Sequence, residues 1–239
     1  MNLLSVEIKK AGYEKDQDII KDIQFSLERG EWVGIIGSNG AGKSTTIKAI
    51  LGLLSHLDGN ITFQKNTQYA YIPERPIFYD EMTLWEHFDF IAAVEGLDGD
   101  SYWQNVESLL ELYGLISHVH EFPGKFSKGM QQKAMLLLAM ASNPDVYIID
   151  EPFMGLDPHA MKLFLQSVQT EKERGVGILM TTHVLDTAEK ICDRFLIIDQ
   201  GRLCAAGTLE EIQEICNLPE ASLFDCFHSI AQGSGAGDE

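Results

Sequence analysis

Apolar positions change period several times along the 239-residue chain. Residues 3–8 alternate around Leu4, Val6 and Ile8, and residues 18–27 renew the signal through Ile19, Ile20, Ile23, Phe25 and Leu27, which predicts two strands. Ala11-Gly12-Tyr13 between them is turn-like and ends in an aromatic. Arg29-Gly30 turns the chain into Trp32-Val33-Gly34-Ile35-Ile36, a run that reads as a buried strand, and residues 45–51 open a helix. Leu57-Asp58-Gly59-Asn60 reads as a turn before short strands at 61–63 and 69–72.

Beyond Pro73-Glu74-Arg75-Pro76 the pattern becomes helical. Thr83 with Glu86 forms a capping-box signature ahead of Trp85, Phe88, Ile91 and Ala92. Ser101 with Gln104 repeats that signature, and Ser127 caps a third helix through Met130, Ala134, Leu137, Leu138 and Ala141. Strand signals resume at 146–149 and again at 177–180 and 195–198, separated by a helix from Asp157-Pro158 to about Arg174 and another over 184–190. Gln200-Gly201 reads as a hairpin turn into 203–205, and Thr208 with Glu211 caps a helix. An amphipathic piece over 219–231 precedes a flexible Gly-rich tail from Gly233 to Gly237.

Between the buried strand and the first helix stands Gly37-Ser38-Asn39-Gly40-Ala41-Gly42-Lys43-Ser44-Thr45, which matches G-x-x-x-x-G-K-[ST] in the strand–loop–helix setting that pattern requires. Glycines let the backbone N–H groups face a phosphate, and the helix N-terminus adds positive potential. Lys43 is the expected partner of β/γ-phosphates and Ser44 a ligand of Mg²⁺. Asp150 ends an apolar strand, where a carboxylate holds the same ion directly or through water, and Glu151 follows it. A glycine-rich turn or a solvated strand-end acid is the ordinary alternative for either stretch alone. Together they describe a metal–nucleotide site.

Composition narrows the partners. The formal net charge of −18 argues against duplex DNA or ribosomal RNA, which need clustered Lys and Arg, and against direct attraction to an anionic membrane. Four cysteines without metal or disulfide spacing read as reduced thiols. The N-terminus does not read as a signal peptide, and the longest wholly apolar run, 134–141, is far shorter than the ~20 residues of a membrane span, so no direct membrane insertion is expected.

Phe126-Ser127-Lys128-Gly129-Met130, just ahead of Tyr147-Ile148-Ile149-Asp150-Glu151-Pro152, separates the nucleotide-binding classes. Here the chain resembles the ATP-binding subunits of ABC transporters, whose signature L-S-G-G-Q appears in this altered form. Together with Tyr71-Ile72-Pro73-Glu74, these motifs resemble the Ecs-type branch. The resemblance covers about residues 3–215. It implies a phosphate-loop NTPase (RecA-like) α/β core over 1–75 and 143–207 with an antiparallel N-terminal β part. It further implies an inserted helical subdomain over 76–142 and a C-terminal helical extension with a tail over 208–239.

The same resemblance implies roles. Glu151 becomes the general base, His183 the residue that orients it and the γ-phosphate, and Tyr13 the aromatic stacked on adenine. Ser127, Gly129 and Gln131 would reach a nucleotide bound to a second subunit, with Gly155-Leu156-Asp157 crossing the interface. Where the family carries a Gln that meets Mg²⁺, this chain has Glu74, expected to keep that metal role. ATP and Mg²⁺ are the implied cofactors. A second copy and a transmembrane transporter subunit are the implied partners, placing the protein peripherally on the cytoplasmic face of the cell membrane in an exporter-like system. The alternatives are a soluble ABC-type ATPase acting on nucleic acid or the ribosome, and a non-hydrolytic regulator.

Overall fold

The computed structural model describes residues 1–234 apart from 16, 98 and 154. Its parallel core consists of β3 (Trp32–Ile36), β5 (Tyr69–Ile72), β6 (Val146–Asp150), β7 (Gly177–Thr182) and β8 (Arg194–Asp199). Every residue of β3, β6 and β7 is buried, because helices cover both faces; that is why these strands read as unbroken apolar runs. By contrast β1 (Asn2–Gly12) and β2 (Ile20–Glu28) largely alternate buried and open positions and pair antiparallel. With β4 (His56–Phe63) and β9 (Arg202–Gly207), the strands form one sheet in the order β4-β1-β2-β9-β8-β3-β7-β6-β5. The antiparallel part is thus hydrogen-bonded to the core through β2 and β9, which meet at Lys21 and Arg202.

Two expectations are corrected. Leu57-Asp58-Gly59-Asn60 is not a turn but lies inside β4, with Leu57 opposite Ala11 and Asn60 opposite Glu7. Turn-like composition marks a bulge instead: the register shifts between Ile8 and Lys10, Gly59 has φ 155°, and a Cβ there would stand 2.1 Å from the Glu7 carbonyl oxygen. Gly59→Ala is therefore expected to destabilise the fold by ~1–3 kcal/mol, read from the denaturant midpoint. The second correction concerns α3 (Asp100–Leu112), which is capped by Gly99 without a side-chain bond, so Ser101 lies inside the helix rather than at its cap.

The other caps form as expected. Thr83 and Glu86 make a reciprocal capping box on α2 (Leu84–Glu95), Ser127 accepts from Met130 N at the start of α4 (Lys128–Ala141), and Asp157 caps α5 (Pro158–Glu173). Helices α2, α3 and α4 bury their own apolar cluster around Phe88, Val106, Leu110 and Leu137. The opposite side of α4 packs Met135, Leu136 and Ala139 against Ile149 and Met180 of the core. Helix α6 (Leu185–Ile191), α7 (Leu209–Cys216) and α8 (Leu223–Ser234) cover β8 through Leu185, Ile212 and Leu223. Helix α8 takes in the first two residues of the expected Gly-rich tail; the remainder lies outside the described residues.

Candidate active site

The C-terminal ends of β3, β6 and β7 stand side by side, so three chain-distant segments deliver their chemistry to one place. Residue pairing across the strands sets Asp150 beside Thr181 and Ile36 beside Thr182. The loop after β3 then enters α1 (Lys43–Ile50) through Gly42, whose φ is 109°. No side chain caps α1 and no acid sits in its first turn, so its leading N–H groups are free for an anion. Gly37 is sterically obligatory, since a Cβ would lie 2.5 Å from the Ile198 carbonyl oxygen.

A cleft of about 320 Å³ opens over this loop. Ser38, Asn39, Gly40, Gly42, Lys43, Ser44 and Thr45 line it, together with Glu74, Glu151 and His183. Gly37 and Ala41 are the parts of the expected loop that lie beneath the lining, with Ala41 buried. Lys43 is also buried; its Nζ donates to the carbonyls of Gly37 (2.8 Å) and Ser38 (3.1 Å) and lies 3.6 Å from Glu151 Oε1. Ser44 Oγ donates to Asp150 Oδ1 at 3.2 Å.

Glu151 occupies the left-handed region at φ 49°, a strained conformation for a non-glycine residue. Thr181 over-determines it: the Glu151 N–H is directed at both the Thr181 carbonyl (3.2 Å) and Oγ1 (3.1 Å). The resulting turn brings Glu151 Oε2 within 2.8 Å of His183 Nδ1 and 3.3 Å of the His183 backbone nitrogen. Glu151 Oε1 is buried and has no hydrogen-bond partner among the described residues. A carboxylate held at one oxygen and without a hydrogen bond at the other, beside a buried ammonium, is equipped to take a proton from water.

Thr181 is the residue that sequence reading missed. Fully buried, it donates through Oγ1 to Asp150 Oδ1 at 2.5 Å while its carbonyl and Oγ1 receive Glu151 N–H. Two threonines ending an apolar strand were the available signal. Its meaning depends on the β6–β7 register.

Asp150 and Ser44 provide two oxygens for a divalent ion, with Glu74 at the cleft edge. No group of three or more His, Cys, Asp or Glu residues able to hold a metal occurs among the described residues. Such a sparse oxygen set suits Mg²⁺, which retains waters and completes its shell with substrate phosphates.

Three expected residues stand outside the cleft lining in the single chain. Ser127 caps α4, Gly129 lies with its would-be Cβ 3.4 Å from the Gly155 carbonyl oxygen, and Gln131 Nε2 donates to the Pro123 carbonyl at 3.0 Å. Tyr13 also lies outside it. Its hydroxyl accepts from Lys48 Nζ at 3.2 Å, that ammonium stands 5.2 Å from the ring centroid, and the residue is 45 % exposed. Burial pushes the Tyr13 hydroxyl up, and hydrogen bonds with Thr45 and Lys48 outweigh it, holding it below the usual phenol value.

Between β5, α2 and α4 a second groove of about 280 Å³ is lined by Tyr71, Ile77, Tyr79, Phe90 and Ile91 among others. Ile77, Tyr79 and Phe90 are exposed, as is nearby Val94. His87 sets the groove wall: its Nε2 accepts from the Tyr79 N–H at 3.0 Å and its Nδ1 meets the Thr83 carbonyl at 2.7 Å.

The chain is similar to known proteins over most of its length. Residues 20–154 match the family model described as ABC transporter. The chain is 51 % identical over 232 residues to the uncharacterized ABC transporter ATP-binding protein YthP of Bacillus subtilis (strain 168), covering 97 % of this chain and 98 % of the relative. It is 40 % identical to the ABC-type transporter ATP-binding protein EcsA of the same organism, with the same coverages. Among solved structures, one titled as the ATP binding subunit of an ABC transporter superposes with a TM-score of 0.90 at 42 % identity, covering 95 % of this chain and 99 % of that one.

Proposed function

The chain belongs to the ABC transporter family as an ATP-binding subunit, an ATPase coupled to transport, and from that premise we propose that two copies enclose Mg·ATP head to tail and drive an exporter-like transmembrane partner. One observation carries this reading: the cleft holding Lys43 and Glu151 is lined without Ser127 or Gly129. The capped N-terminus of α4 therefore serves a nucleotide on the facing copy. Gly155-Leu156-Asp157, whose Asp157 is tied to Lys133 of α4 at 3.6 Å, runs between the two.

In this site Lys43 binds the β/γ-phosphates along with the free N–H groups of α1. Ser44, Asp150 and Glu74 would hold Mg²⁺, which neutralises charge on the transferred phosphoryl group. Glu151, kept in place by Thr181 and His183, draws the proton from the attacking water. His183 keeps the carboxylate aimed and reaches the γ-phosphate. Tyr13 offers its exposed ring to adenine, with Lys48 steadying the hydroxyl. Closing on ATP and opening after hydrolysis supplies the difference in affinity between two states that mechanical work requires.

The groove beside α2 is where a transmembrane subunit docks, near residues 78–86. Supporting this are the exposed Ile77, Tyr79, Phe90 and Val94, while no helix among the described residues is long and apolar enough to cross a membrane. In this reading the partner spans the membrane and this chain works at its cytoplasmic face. The exporter-like direction is proposed from the resemblance of these motifs to the Ecs-type branch. Phe90→Glu is expected to release the membrane partner in co-purification from detergent while leaving ATP binding intact. Retention of the partner would contradict docking at the groove.

A further inference from the structure

Glu74 borders two clefts. One is the phosphate cleft, and the other, of about 630 Å³, is also lined by Arg75, Lys128, Gln131, Gln132 and Gly155. None of the charged side chains of Glu74, Arg75 and Lys128 makes a hydrogen bond or ion pair among the described residues. Gln132 is only 2 % exposed on α4, yet its Nε2 has no hydrogen-bond partner among the described residues. Open charges and an orphaned buried amide therefore meet around one space.

Both Glu74 and Lys128 depart from the family pattern. Glu74 stands where the ABC loop carries a neutral amide, and Lys128 stands where the signature carries a glycine. Each substitution is unfavourable alone. A carboxylate at Glu74 adds negative charge to a cleft that already contains Glu151 and adjoins Asp150, with phosphates still to arrive. Its field extends to Tyr71, whose hydroxyl is pushed up to about 12 by burial, with the charges of Asp150 and Glu74 adding to it. Lys128 is the first residue of α4, and a cation at a helix N-terminus opposes the helix dipole. Two locally unfavourable charges of opposite sign thus face one cleft.

We propose that Lys128 is the counter-charge of Glu74, with the Gln132 amide as a further donor, and that this pairing lets a carboxylate stand at the edge of the phosphate cleft. Lys128 and Gln132 are positioning residues here: they act on the nucleotide only through Glu74. Glu74 and Lys128 both line this cleft, so the carboxylate and the ammonium face one space. The inference rests on the nucleotide-site reading given above.

The test is a double-mutant cycle on the full chain, reading equilibrium binding of a fluorescent Mg·ATP analogue at low and high salt, with thermal midpoints as the folding control. Lys128→Gln is expected to weaken binding about fivefold at low salt and less at high salt, and to have no effect when Glu74→Gln is also present. Equal weakening by Lys128→Gln in both backgrounds, or none in the Glu74 background, overturns the proposal. So does Arg75→Gln showing the coupling to Glu74 in place of Lys128. A wild-type chain that binds no Mg·ATP overturns the nucleotide site itself, and the inference with it.

Discussion

Glu151→Gln is expected to lower ATP turnover about a thousandfold while leaving Mg·ATP affinity near that of the wild type. The amide has nearly the same shape and its oxygen still accepts from His183, so the geometry of the turn at φ 49° is preserved. What is lost is the capacity of Oε1 to take a proton, and Oε1 is the atom that no group among the described residues engages by hydrogen bonding. Phosphate release measured beside nucleotide binding separates the two effects. A variant that turns over at the wild-type rate would remove Glu151 from the chemistry.

Lys43→Ala is expected to act earlier, reducing Mg·ATP affinity about a hundredfold, because a charge-assisted contact to phosphate disappears from a desolvated site. Its effect also extends to the nucleotide-free protein. Lys43 and Glu151 are both buried, and the ammonium is the cation 3.6 Å from Glu151 Oε1. Removing it leaves the carboxylate without that counter-charge and the carbonyls of Gly37 and Ser38 without that donor. The thermal midpoint without nucleotide should therefore fall, and by more than in Glu151→Gln, where the ammonium keeps both carbonyl acceptors. Tight Mg·ATP binding by Lys43→Ala would place the phosphates elsewhere.

The phosphate loop, Asp150, Glu151 and His183 were legible because each belongs to a short continuous run whose strand or helix signal is strong. Once β3, β6 and β7 are recognised as buried parallel strands, their C-terminal ends fall together. Thr181 was not legible, since its hold on Asp150 and Glu151 arises from the register between two strands 30 residues apart in the chain. Gly59 misled for a physical reason: Asp-Gly-Asn suits a tight turn and a bulged strand equally, and the partner strand β1 decides between them. Ser101 failed as a cap because Gly99 already starts the helix two residues earlier. Likewise, no local pattern tells that Glu74 and Lys128, 54 positions apart, border one cleft.

In the proposed dimer, Lys43 and Ser127 act on one nucleotide from two copies of the chain. The most direct measurement is the mass in solution of Glu151→Gln, by light scattering or sedimentation, with Mg·ATP and without nucleotide. The expected result is a monomer that becomes a dimer holding two ATP molecules, and a Ser127→Arg change in the same background that binds ATP yet stays monomeric. A Glu151→Gln chain that saturates with Mg·ATP and remains a monomer would contradict it.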